Sequence, residues 1–399
     1  MPEVNPDILR WARKTAGLTT LDEAAVKLDL HQSRGVSAAD RLAALESGDD
    51  QPTRPLLTRM AKQYRRPLLT FYMKAPPRKG DRGQDFRTLP EDYSDVDEAL
   101  LDALIRDVKA RQGMVRAMLE DEEDTKPLPF VGSLSRSQGV SAVLSSIRET
   151  IQLDIAEFRA QASASDAFTL LRDRVELAGI FVLLIGNLGS YHTAIDLETF
   201  RGFALADDIA PFVIINDQDA HSAWSFTLLH ELVHIWLGQT GVSGLRAEIS
   251  IEKFCNDVAS EFLLPSSELE QLDVNNTTDL ESAQSRISEF ARNQNLSASM
   301  VAYKLYRMGT IDFESWKFLS ESFRRMWLDQ RNERRIMARE QERRGPSYYF
   351  TRRHRIGKAL LDFVGSMMRA GAITTSKAGK VLGVKAKNVQ NLLDAGGLL

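Results

Sequence analysis

Apolar side chains recur at helical spacing in short bursts through the first 75 residues. Asp7 to Gly17 reads as a helix with a glycine stop, and Thr20 to Leu28 opens on a capping box between Thr20 and Glu23. A third helix is predicted from Ala38 to Glu46, ending at Ser47-Gly48, with two more around Pro55 to Tyr64 and Pro67 to Tyr72. A long amphipathic helix follows over Tyr93 to Leu119, then the acidic run Glu120 to Asp124, expected as a solvated loop. Residues 140–178 are helical in pattern. The period then changes: Gly179 to Ile185 and Pro211 to Asn216 are short apolar runs, and Phe200 to Leu205 alternates, which predicts a small sheet. Phe226, Leu229, Leu232, Val233 and Trp236 form the apolar stripe of the next helix. Further helices are expected over Ile251 to Leu263, Leu280 to Asn293, Ser297 to Met308, Phe313 to Glu342, and in pieces from Arg352 to Leu398. The fold class is α+β, mainly α-helical.

A chain of 399 residues calls for more than one domain. The boundaries expected are a helical domain over 1–75, a Pro/Gly/charge-rich linker over 76–92, a mixed domain over 93–275 and a C-terminal helical domain over 276–399. With 43 % apolar and 27 % charged residues, the composition is that of a water-soluble globular protein. No apolar run reaches membrane-spanning length, and the first residues lack the basic and apolar regions of a signal peptide. The single cysteine, Cys255, excludes an intrachain disulfide and fits a reducing compartment, so the cytoplasm is the expected location. A net charge of −4 points to no global nucleic-acid footprint.

The chemistry concentrates in His230-Glu231-Leu232-Val233-His234. On a helix, two histidines four apart project from one face and can ligate one ion, and the Glu beside the first can reach a water on that ion. A catalytic zinc site needs a third protein ligand. Glu248, Glu252, Asp257 and Glu261 are the downstream candidates. Glu252 shares a helical face with Cys255, Asn256 and Ala259 and so points inward, whereas Glu248 and Glu261 read as exposed and Asp257 falls off the stripe. Cys255 reads as a packing residue. His221, His192 and Tyr191 are the candidates for a second oxyanion donor.

Two stretches resemble the ImmA/IrrE metallopeptidases: Phe226 to His234, and the run Glu252, Asn256, Ala259 and Leu263-Leu264-Pro265, similar to that family's E-x-x-x-N-x-x-A…L-L-P helix. Arg201 to Ala204 and Pro211 to Asn216 are similar to the strands preceding the family's active helix. The resemblance implies a zincin-like core in which His230, His234 and Glu252 hold Zn2+ and Glu231 is the general base. It also implies a repressor protein as substrate. Residues 1–75 resemble a phage-repressor (XRE-type) helix-turn-helix domain in Ala43 to Gly48, Met60 to Tyr64 and Pro67 to Phe71, with a lengthened turn over Asp29 to Ser37. Arg34 and Arg41 are its candidate DNA contacts.

Residues 316–358 carry thirteen Lys/Arg against five Asp/Glu. That excess suits either a solvated helical face with internal ion pairs or a surface for phosphate or an acidic partner. Ile373 to Leu393 again reads as helix, glycine turn, helix, with lysines nearby. The leading reading is a zinc-dependent endopeptidase acting on a protein, expected to be a helix-turn-helix repressor. The alternative is a DNA-binding regulator or antirepressor with a structural metal site, possible in a toxin-antitoxin or mobile-element setting, with DNA bound through the N-terminal or C-terminal helices.

Overall fold

The structure, a computed structural model, describes residues 3–33, 35–76, 95–122, 125–242, 249–340 and 347–395. The linker expected at 76–92 lies almost wholly outside these residues. The chain forms two compact units, one of Met1–Arg82, Leu89–Val108 and Asn187–Thr199, the other of Gly83–Thr88, Lys109–Gly186 and Phe200–Leu399.

In the first unit, local chemistry sets each helix end. Helix α1 (Pro6–Lys14) starts with Asn5 accepting from the Asp7 amide, and α2 (Leu21–Lys27) with Thr20 accepting from the Glu23 amide. Helix α3 (Ala38–Ser47) is capped by Ser37 and stopped by Gly48 at φ 91°, and α4 (Arg54–Gln63) has proline in its first turn. After Pro67 the chain makes a 3-10 helix, Leu68–Tyr72, where an α-helix was expected. Its short turn suffices to bring Phe71 into the core beside Ile8, Leu42, Leu57 and Tyr64. Across that core Arg13 meets Glu46 in a bidentate pair, Nε to Oε1 at 2.7 Å and Nη2 to Oε2 at 3.0 Å, both residues buried.

Helix α5 (Asp95–Glu120) is followed in the second unit by α6 (Gly139–Ile151), α7 (Ile155–Arg159) and α8 (Ala164–Leu177). Strands β1 (Phe181–Leu184), β2 (Gly202–Leu205), β3 (Phe212–Ile215) and β4 (Gly241–Val242) form one sheet in the order β1-β3-β2-β4. The pair β1-β3 is parallel, with Phe181 opposite Phe212, and β2 is antiparallel to both β3 and β4. The three runs expected as strands are present, and all twelve of their residues are buried, which explains their almost unbroken apolar character. The fourth strand adds two residues that no pattern in the sequence announces.

Helix α9 (His221–Trp236) packs against β2, β3 and α8 on one side and α10 (Ile249–Leu263) on the other. Its twelve buried residues include every position from Thr227 to Trp236, so burial extends all round the helix and not along a stripe alone. Trp236 fixes its C-terminal end, stacking on Phe130 at 4.5 Å between centroids while its indole N–H donates to Ser146 at 2.9 Å. The core continues past residue 275: α11 (Leu280–Asn293), α12 (Ala298–Arg307) and α13 (Phe313–Glu340) contribute Ile287, Val301, Leu305 and Leu319 to it.

The last helices are α14 (Tyr348–Ile356), α15 (Lys358–Arg369), α16 (Thr375–Leu382) and α17 (Val389–Asp394). A buried ion pair on α8 holds them: Arg172 Nε lies 3.2 Å from Glu176 Oε1. Arg172 also donates to the carbonyl oxygens of Val182 and, at 2.5 Å, His354. Glu176 Oε2 accepts from the amides of Lys358 and Ala359 at 3.0 and 2.9 Å, closing the first turn of α15. Glu176→Ala should therefore leave Arg172 buried without its anion and lower the unfolding free energy by about 3–5 kcal/mol, measured by urea denaturation. A loss below 1 kcal/mol would show that the pair does not hold α15.

Candidate metal centre

The centre lies where α9 and α10 pack together. His230 and His234 are one helical turn apart on α9, and Glu252 reaches them from the first turn of α10. His230 Nε2 is 3.1 Å from Glu252 Oε2, His234 Nε2 is 3.4 Å from Glu252 Oε1, and the two Nε2 atoms are 3.3 Å apart. Zinc bonds of about 2.0–2.1 Å at the tetrahedral angle would place ligand atoms roughly 3.3 Å from one another. The spacing of these donors fits such an ion.

The tautomer fits as well. His230 Nδ1 lies 2.9 Å from Asn256 Oδ1, and an amide oxygen can only accept. Nδ1 therefore carries the proton and Nε2 presents its lone pair toward Glu252 and His234. Tyr303 on α12 lies near Asn256, and burial pushes its hydroxyl up to about 12. Burial alone would raise the Glu252 carboxyl, but the His230 and His234 imidazoles, when protonated at Nε2 as well, pull it down to about 2 through hydrogen bonds and charge. His234 Nδ1 is a buried polar atom with no hydrogen-bond partner among the described residues.

Cys255 is also present, within a group whose His230, His234 and Cys255 ligand atoms all lie within 4.8 Å of one another. Two ligand sets thus share the histidines. The carboxylate is the better third donor on two grounds: its oxygens approach both Nε2 atoms to 3.4 Å or less, and it is already an anion. Burial pushes the Cys255 thiol up and keeps it protonated. Cys255, expected as a packing residue, also lies beside His230 and His234.

The other candidates are engaged elsewhere. Asp257 receives a bidentate pair from Arg307 at 2.9 and 2.6 Å, and Glu261 accepts from Lys304 at 2.5 Å and Ser266 at 2.8 Å. Glu248 lies outside the described residues, as does the side chain of Tyr191. His221 sits nine residues before His230, about 13 Å away along the helix axis, where its ring packs on Trp224 and meets Ser165 Oγ at 2.6 Å. His192 is exposed and belongs to the first unit. Arg41 donates to the His31 carbonyl at 2.6 Å, and Arg34 lies outside the described residues.

Residues 186–306 match a peptidase family, the IrrE N-terminal-like domain. The match supports the ImmA/IrrE resemblance and a metallopeptidase type of function for this segment, and it extends the likeness through α11 and α12. Residues 1–185 and 307–399 fall outside it. Neither the curated proteins nor the solved structures provide a match. No helix among the described residues is long and apolar enough to cross a membrane.

Within the IrrE-like segment, Glu231 occupies a position that Gly202 makes possible. A Cβ at Gly202 would lie 2.8 Å from Glu231 Oε1 and 2.7 Å from Thr227 Cγ2. The bare backbone of β2 therefore lets the fully buried Glu231 lie flat against the strand, beside the first histidine. Nothing in the sequence marked Gly202 beyond its place in the strand pattern. Gly202→Ala should destabilise the protein by about 1–3 kcal/mol through overpacking, read from the urea unfolding midpoint. A midpoint equal to that of the parent chain would mean that strand and carboxylate are not in contact.

Proposed function

We propose that this protein is a zinc-dependent endopeptidase that hydrolyses a peptide bond in a protein substrate. The observation that carries the proposal is the triangle of His230, His234 and Glu252 donors, at 3.1 to 3.4 Å, inside a segment that matches a peptidase family. His230 and His234 would supply two neutral nitrogens and Glu252 one anionic oxygen. A bound zinc ion would supply Lewis acidity, lowering the pKa of a water and drawing electron density from a scissile carbonyl. Glu231 is the general base: its carboxylate takes the proton from the attacking water and carries it to the leaving amine nitrogen. Asn256 acts through His230, holding its ring and its proton on Nδ1. Gly202 and Thr227 confine the Glu231 carboxylate, which limits the motion that proton transfer has to overcome.

The substrate proposed is a transcriptional repressor, and the compartment the cytoplasm. The repressor rests on the family resemblance and the reducing compartment on the single buried cysteine. Glu231→Gln keeps the shape of the site and removes the base. It should retain about one zinc per chain by elemental analysis and lose roughly 100- to 10,000-fold in cleavage of repressors encoded beside it. Glu252→Ala should instead lose the metal. Full cleavage by Glu231→Gln would exclude this mechanism, and zinc retained by Glu252→Ala would move the third ligand to Cys255.

A further inference from the structure

The hydrolytic reading leaves residues 371–395 without a role, yet these residues are built to a definite plan. Helix α16 ends at Gly383, in the left-handed conformation at φ 64°, and three residues later a 3-10 turn, Ala386–Asn388, leads directly into α17. The turn is closed by the Val384 amide donating to the Gly379 carbonyl at 2.8 Å. Gly379 is needed for close approach: a Cβ there would lie 2.9 Å from the Val384 carbonyl oxygen and 3.2 Å from Ala386 Cα. Ala378, Leu382, Val389 and Leu392 are buried along the inner faces of the two helices. A small residue in the first helix, a glycine turn of three residues and buried apolar positions on both sides make a helix-turn-helix.

The charge of this segment is mainly positive, with the one acid, Asp394, exposed at the end of α17. Residues 371–395 contain four lysines, Lys377, Lys380, Lys385 and Lys387, against one acid, Asp394. Lys380, Lys385, Lys387 and Gln390 are exposed. The arginines nearby face inward: Arg352 donates to the Gly383 carbonyl at 2.6 Å, and Arg353 donates to the carbonyls of Leu392 and Leu393 at 2.7 and 3.1 Å. They brace the turn and the end of α17, leaving the lysines to face solvent. In the N-terminal domain, ten residues (Leu28–Ser37) separate α2 from α3, against six (Gly383–Asn388) between α16 and α17, and Asp40 and Arg41 bond to Ser37 and the His31 carbonyl.

We infer that α16, its turn and α17 form a duplex-DNA-binding element, with the second helix in the major groove. Lys385 and Lys380 meet backbone phosphates there, Lys387 reaches the groove from the 3-10 turn that leads into the second helix, and Gln390, which donates to Asp394 at 2.8 Å in the free protein, turns to the base edges. This binding stands apart from hydrolysis and does not rest on it. The test uses the full chain and fluorescence anisotropy with a mixed-sequence 30-base-pair duplex, titrated to about 10 µM protein from about 50 mM salt upward. Binding should weaken roughly tenfold in the Lys385→Ala/Lys387→Ala double variant. The slope of log affinity against log salt should become shallower by about 0.9 per lost phosphate contact. Lys126→Ala, an exposed lysine on another segment, should leave affinity unchanged. Absence of duplex binding at the lowest salt, an unchanged slope in the double variant, or tighter binding to single-stranded RNA of equal length would each overturn the proposal. Circular dichroism melting of the double variant establishes that its fold is intact.

Discussion

Two imidazole nitrogens 3.3 Å apart on buried side chains constrain everything around them. Lone pairs facing one another repel, and burial weakens the screening between them. The contact is tolerable only with positive charge between the rings and negative charge beside them. Glu252 supplies the negative charge from α10, and it can do so only if α10 lies along α9 with its first turn level with His230 and His234. That requirement fixes the helix pair. The remaining faces of α9 from Thr227 to Trp236 are then covered by the sheet, by α8 and by the Phe130–Trp236 stack.

The supporting residues follow from the same constraint. An imidazole ring held by one bond to a metal can still rotate, and Asn256 removes that freedom through Nδ1, with Tyr303 behind it. Acidic groups near the site would compete for the cation, and Asp257 and Glu261 are instead tied down by Arg307 and Lys304 from α12. Helix α12 thus ties down both acids that flank the centre on α10. The family match runs through residue 306 and so takes in α12 up to its last residue but one.

Much of this was legible in the sequence, and the reasons are local. Thr20, Ser47 and Gly48 mark helix ends because capping depends on residues within one turn, and the structure puts the helices within a residue or two of those marks. The pairing of His230 with His234 needs only the helical period. Glu252 was legible because it shares a face with Cys255, Asn256 and Ala259. What escaped reading depends on distant partners. Strand β4 is two residues long and exists because β2 offers it an edge. The role of Gly202 appears only when α9 lies across it, and that of Asn256 only when α10 faces His230.

The basic segment shows the same limit for electrostatics. A count of thirteen cations against five anions over 316–358 gives a surplus but no direction. In the structure, many of the arginines there whose partners are described face inward or across to other elements: Arg331 to Gln218, Arg355 to Asp217, and Arg352 and Arg353 to backbone carbonyls. A guanidinium has five donors in a rigid fork and suits such bracing, whereas a lysine ammonium on its flexible stem stays hydrated unless a partner is close. Arginine excess in a helical segment that returns to its own core is therefore weak evidence for a polyanion. The smaller lysine surplus of 371–395 says more, because a glycine turn and buried inner faces fix the two helices while Lys380, Lys385 and Lys387 remain exposed.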